Sequence, residues 1–193
     1  MTVRSRDPNP FPAAQSWLLD NPISRAQANR FVRRLNLRPG MKVLDVGCGP
    51  GRLTLPVARA VGEDGEVVAL DLQQDMLDRV KRRAGAAGLR NVRTLLAAAG
   101  QAGLPPRSFD LVLLSYVLGE LPRHQRLPAL QEIASVLGPN GRLFVVEGVG
   151  DPHRQRLETV RGVAERAGLR LESVSGWFNK VISFVPTTSG EPA

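Results

Sequence analysis

The chain predicts an α/β fold, a doubly wound and mostly parallel sheet with helices on both faces. Three observations carry that expectation. Strand-like and helical segments alternate through about five units, the pattern of parallel strands joined by crossover helices. The run Phe109-Asp110-Leu111-Val112-Leu113-Leu114-Ser115 is almost continuously apolar, as a central strand covered on both faces must be. The last two strand-like segments, Leu169–Ser175 and Val181–Pro186, are separated by only a few residues around Trp177 and Asn179. That link is too short for a parallel crossover, so the sheet must end in a hairpin with one antiparallel strand.

Residues 1–11 are polar and proline-rich and read as a tail. Pro12–Asp20, with Trp17, Leu18 and Leu19, is expected to form a short amphipathic helix. Asn21-Pro22 then starts a second helix, Asn as N-cap and Pro where the first N–H needs no partner. Ile23, Gln27, Phe31 and Leu35 fall on one predicted face, and Arg38-Pro39-Gly40 closes the segment. This pair of helices precedes the alternating units and is expected to serve as a lid, with Trp17 a candidate wall of a substrate site. The predicted organisation is therefore a tail and lid over 1–37, one α/β domain over 38–187, and a short tail over 188–193.

Lys42–Val46 is the first strand, and Leu53–Val61 the helix after it, with Pro56 near its start. Gly62–Gly65 turns into the second strand, Glu66–Asp71. A helix from Gln73 ends at Gly88. Asn91–Leu96 is the third strand and Ser108–Ser115 the fourth. A helix over His124–Leu137, a turn at Gly138-Pro139-Asn140-Gly141, a fifth strand over Arg142–Glu147 and a helix over His153–Gly168 complete the alternation.

The chain is organised around Lys42-Val43-Leu44-Asp45-Val46-Gly47-Cys48-Gly49-Pro50-Gly51. A buried strand runs into three alternate glycines and then a helix. Glycines let the backbone turn sharply and approach a ligand with no Cβ between them. The helix that follows directs unpaired N–H groups at the same place. A dinucleotide loop wants a third glycine where Arg52 stands here. Asp45, two residues before the first glycine, would repel a pyrophosphate and suits a ligand that carries an amino group. Asp71, 20 residues after Gly51, ends the second strand, where a carboxylate can accept hydrogen bonds from both hydroxyls of a ribose.

Size and composition are those of one globular domain. Of the 193 residues 42% are apolar, and no run of ~18 apolar residues marks a membrane span. The first residues lack the apolar stretch of a secretory leader, and the single cysteine fits a reducing compartment, so a cytoplasmic location is expected. The net charge is +8, and 23 of the 26 basic residues are arginine, spread along the chain rather than gathered. That distribution reads as a solvated surface more than a nucleic-acid footprint, leaving nucleic acid the less favoured partner. No metal-ligand spacing, Ser-His-Asp order or phosphate P-loop is present.

Asp45-Val46-Gly47-Cys48-Gly49-Pro50-Gly51 resembles the first motif of class I S-adenosylmethionine-dependent methyltransferases. The resemblance covers about residues 38–186 and includes Asp71, Phe109–Ser115 and Leu137-Gly138-Pro139-Asn140-Gly141. It points to the small-molecule branch, which includes quinone-biosynthesis enzymes. It implies a Rossmann-like seven-stranded sheet, strand order 3-2-1-4-5-7-6 with strand 7 antiparallel. It also implies S-adenosyl-L-methionine as cofactor, a small-molecule acceptor, and direct displacement that yields S-adenosylhomocysteine.

By that resemblance Asp45 handles the methionine end of the cofactor within the loop of Gly47, Cys48, Gly49 and Gly51. Asp71 holds the ribose, Leu72 and Met76 line the adenine slot, and Ser115 lies beside the transferable methyl. Ala98 stands where relatives usually place an acid for the adenine amino group, and Gly119 where many carry a histidine. Tyr116 and His153 are the candidates to orient the acceptor or take its proton, with His124 less favoured. An RNA or protein methyltransferase and a non-catalytic S-adenosylmethionine-binding module are the alternative readings, and a nicotinamide oxidoreductase is a distant one.

Overall fold

The computed structural model describes residues 22–148, 153–176 and 179–187. In chain order its elements are α1 (Pro22–Val32), β1 (Lys42–Val46), α2 (Thr54–Val61), β2 (Glu66–Asp71), α3 (Gln74–Ala86) and β3 (Val92–Leu96). Then come β4 (Phe109–Ser115), α4 (Arg123–Val136), β5 (Leu137–Gly148), α5 (Leu157–Arg166), β6 (Leu169–Ser175) and β7 (Asn179–Pro186). The strands form one sheet in the order β3-β2-β1-β4-β5-β7-β6. Pairings from β3 across to β5 are parallel, and β7 runs antiparallel between β5 and β6.

Alternate residues of each strand feed different layers. Val43, Val67, Leu111 and Leu113 pack with Val57 and Val61 of α2 and with Ala28 and Val32 of α1. Leu44, Val46, Val68, Leu70, Val112, Leu114, Leu143 and Val145 meet Ala129, Leu130 and Ile133 of α4 and Val160 and Ala164 of α5. Because both faces are covered, the central strands are apolar throughout rather than alternating. Each buried Val or Leu contributes about 1.5–3 kcal/mol, so these two layers hold the sheet. From β1 the chain winds outward to β3, then returns to β4 on the other side of β1. The crevice for a ligand therefore opens at the carboxyl ends of β1 and β4.

Three local expectations change. The buried face of α1 and the turn after it is Ser24, Ala28, Val32 and Leu35, while Gln27 is exposed. Small Ser24 and Ala28 let α1 approach closely, whereas the predicted face weighted larger side chains. Gly138–Gly141 is not a turn outside the strand. Leu137 already pairs with Phe109 and Arg142 with Leu111, so the four residues form an excursion within β5. Gly141 folds back there, where an added Cβ would lie 3.0 Å from the Gly138 nitrogen. Helix α5 begins at Leu157, leaving His153 in the turn before it. The expected helix over Pro12–Asp20, Trp17 and Trp177 lie outside the described residues.

Candidate functional site

Strand β1 places Asp45 in the sheet, opposite Ala69 of β2 and Leu113 of β4. Its side chain is 2% exposed and accepts a 2.6 Å hydrogen bond from the Thr54 hydroxyl at the start of α2. Burial pushes its pKa up to about 6, and Asp71 adds to the rise, while Thr54 and Arg52 oppose it. At pH 7 the group is therefore ionised but poorly solvated, and it gains most from a bound cation.

The glycine loop has a different reason for each glycine. Gly47 adopts φ +66°, and a Cβ there would collide with Val117 from the loop after β4. Gly49, φ +51°, has open space where its Cβ would be, so bare backbone faces the crevice. Gly51 packs tightly, its missing Cβ only 2.6 Å from Leu55 and 3.1 Å from Val80. Cys48 donates its backbone N–H to Leu70 O at 3.0 Å, tying the loop to β2. Its thiol is buried, and burial pushes its pKa up, with Asp45 and Asp71 adding to the rise. The neutral thiol is no nucleophile at pH 7.

Asp71 closes the other side. The Gly49 and Gln73 N–H groups each donate to its carboxylate at 2.9 Å. Burial raises its pKa, and these bonds and the Leu72 N–H oppose the rise. A carboxylate offers about four acceptor positions, more than these donors fill. Beside it Leu72 and Leu96 are 53% and 54% exposed, large apolar side chains at the ends of β2 and β3. Leu96 was not singled out by the sequence, although it pairs directly with Asp71. Ala98 follows half-buried in the next loop, and Met76 is buried in the interior.

The ends of β4 and β5 form the second half of the site. Ser115 ends β4 with a buried hydroxyl that has no hydrogen-bond partner among the described residues. Tyr116 follows at φ +61°, a conformation rare for a bulky residue and found where function holds the chain in place. Its N–H donates to Val146 O at 3.0 Å, and its ring lies against Gly148. The Arg52 guanidinium carbon sits over the ring, 5.4 Å from its centroid. In the sequence Arg52 stands out only as the residue in place of a third glycine.

Arg126 of α4 joins the two loops, a buried cation that no sequence motif marks. Its Nε donates to Leu121 O at 3.0 Å, Nη2 to Gly119 O at 3.3 Å, and Nη1 to Gln155 Oε1 at 2.7 Å. The Gln155 amide in turn donates to His153 O at 2.5 Å, and its backbone N–H to the buried Glu147 carboxylate at 2.9 Å. Burial lowers the Arg126 pKa and Glu147 opposes that fall. A side chain at Gly119 would collide with the His153 carbonyl and come within 3.1 Å of the His153 Cβ. His153 thus stands beside the position whose side chain is missing, while His124 is exposed on the first turn of α4. Among the described residues no metal-binding cluster forms, and no helix is long and apolar enough to cross a membrane.

Residues 43–141, just over half of the chain, match a known family described as a methyltransferase domain. The chain belongs to this methyltransferase family. Among relatives, the methyltransferase domain is 36% identical over 116 residues to a demethylmenaquinone methyltransferase of Geobacillus stearothermophilus, covering 60% of this chain and 49% of the relative. It is 38% identical over 104 residues to an aklanonic acid methyltransferase of Streptomyces sp. (strain C5), covering 54% and 46%. The chain spans about half the length of these curated relatives. The crystal structure of a SAM-dependent methyltransferase from Aquifex aeolicus superimposes with a TM-score of 0.82 at 25% identity, covering 92% of this chain and all of that one.

Proposed function

We propose that the protein transfers a methyl group from S-adenosylmethionine to a small-molecule acceptor, leaving S-adenosylhomocysteine. The observation that carries this reading is the pairing of Asp71 with the bare backbone at Gly49. The carboxylate is fixed by the N–H of the loop itself, so ribose recognition and loop shape are one construction. The rest of the site fits the same cofactor. Asp45 suits an ammonium, Leu72 and Leu96 offer apolar surface for a base, and the Ser115 hydroxyl awaits a polar partner. A dinucleotide would set its pyrophosphate against Asp45.

Bound S-adenosylmethionine supplies an electrophilic methyl on a positively charged sulfur. The protein's task is then alignment and water exclusion, worth up to ~7–11 kcal/mol in favourable cases. Tyr116, pinned by Val146 and Gly148, is assigned to wall the acceptor beside Ser115. His153, anchored through Gln155, is the candidate to hold or remove an acceptor proton. Small-molecule acceptors are favoured by the two curated relatives, whose names denote demethylmenaquinone and aklanonic acid. The acceptor fraction decides the point. Methyl-labelled S-adenosylmethionine is incubated with the protein and with separated cell fractions. Label entering molecules below about 1 kDa supports the proposal; label confined to RNA or protein overturns the choice of substrate class.

A further inference from the structure

The loop after β4 and the turn before α5 cross at Gly119, where the His153 main chain takes the space of the missing side chain. Glycine has nothing to interlock with, so the spacing of the two segments must be fixed from outside. Arg126, 8% exposed near the start of α4, reaches both. One edge of its guanidinium holds the loop, Nε donating to Leu121 O at 3.0 Å and Nη2 to Gly119 O at 3.3 Å. Nη1, outside that edge, donates to Gln155 Oε1 at 2.7 Å. Gln155 passes the constraint on, its amide donating to His153 O at 2.5 Å. That amide cannot flip without losing both bonds, because oxygen and nitrogen would exchange places. The Gln155 backbone N–H, held by the Glu147 carboxylate at 2.9 Å, anchors the turn to the end of β5.

We propose that Arg126 is a positioning residue for methyl transfer: through Gln155 it sets where His153 stands against Gly119, and so the shape of the acceptor side of the site. This rests on the methyl-transfer reading above. The position demands guanidinium and not charge alone. Three acceptors lie around one plane in different directions, which a rigid planar fork satisfies and a lysine ammonium on its flexible stem does not. None of these five bonds involves the glycine loop or Asp71. Arg126 therefore acts on the acceptor and leaves the cofactor alone.

The chain has two histidines, so nuclear magnetic resonance of protein labelled in its histidine rings gives two signals. His153 reports the turn, and His124, exposed on the first turn of α4, reports the helix. Arg126→Lys is expected to move the His153 signal as Gln155→Ala does, while His124 stays in place. The double variant should match Gln155→Ala, with no further loss of turnover, because the two residues act in series. Methyl transfer to the small-molecule fraction should fall at least about tenfold, the order that a small misplacement costs. Calorimetric affinity for S-adenosylhomocysteine should stay within about twofold. An unmoved His153 signal in Arg126→Lys overturns the proposal, as do additive effects in the double variant. Movement of both signals with lost S-adenosylhomocysteine affinity also overturns it, since Arg126 would then serve the fold at large. A wild type that binds no S-adenosylhomocysteine overturns the methyl-transfer reading itself, and the proposal with it. If Arg126→Lys fails to fold, Gln155→Glu decides: it keeps the bond to Arg126 and loses the one to His153 O, and an unmoved His153 signal there overturns the proposal.

Discussion

The two halves of the site are built by different means. At the ends of β1 and β2, a short stretch of backbone does most of the work. Gly49 is bare, Asp71 is gripped by N–H groups, and Asp45 sits within the sheet. At the ends of β4 and β5, side chains from distant parts of the sequence do it. Arg52 meets Tyr116, Tyr116 leans on Gly148, and Arg126 reaches through Gln155 toward the His153 carbonyl. A cofactor common to a whole family can be met by fixed backbone, whereas an acceptor that varies is met by side chains that can be exchanged. The halves touch where Arg52 lies over the Tyr116 ring and, most tightly, where Val117 packs over Gly47.

That junction gives the largest expected effect. Gly47→Ala would place a methyl into Val117 at a positive φ, costing about 2–4 kcal/mol of stability by overpacking and backbone strain. Urea unfolding would read it, and a shift below about 1 kcal/mol would show that Val117 simply moves aside. Next comes Asp71→Ala, which removes an acceptor for two backbone N–H groups and the ribose partner. Affinity for S-adenosylhomocysteine should fall at least about tenfold by calorimetry. Unchanged affinity would mean that the ribose is held elsewhere.

Asp45 couples binding and stability to pH with opposite signs. Its folded-state pKa is raised from 3.8 to about 6. Its carboxyl therefore favours the fold below about pH 3.8, and that contribution is lost as pH rises through about 6. Above that, the buried charge costs on the order of 3 kcal/mol. Asp45→Asn should raise the stability of the unliganded protein at pH 8 and leave it unchanged near pH 3. Cofactor binding needs the ionised form, so wild-type affinity should drop about tenfold between pH 7 and pH 5. A flat profile, tracked by calorimetry, would detach Asp45 from the ammonium.

The smallest effect tests whether the halves are separable. Gln155→Ala removes the bridge between Arg126 and His153 O, costing about 1–2 kcal/mol of stability. It should leave S-adenosylhomocysteine affinity within about twofold while lowering turnover. A large loss of cofactor affinity would merge the two halves into one unit.

The same division explains what could be read from the sequence. Asp45, the glycines and Asp71 are legible because their roles follow from strand ends and local backbone. The apolar run of β4 and the short link before β7 are legible for the same reason, and with them the sheet. Arg52, Arg126 and Gln155 carry no local signal, since the contacts that join them to the site, Arg126 with Gln155 and Arg52 with Tyr116, span 29 and 64 residues. Gly119 reads as the loss of a side chain, yet in the fold it is the crossing point that admits His153. On α1 and the turn after it the expected Phe31 and Leu35 do pack on the core, but Ser24 and Ala28 take part only because they are small, which no hydrophobic pattern signals.

On the proposed function, the loop after β1 and Asp71 bind S-adenosylmethionine rather than a dinucleotide. Calorimetric titration with S-adenosylmethionine and S-adenosylhomocysteine, with NAD as control, tests it most directly. Saturable binding of the first two and none of NAD is the predicted result. Saturable NAD binding, with neither adenosyl ligand bound, would contradict the account.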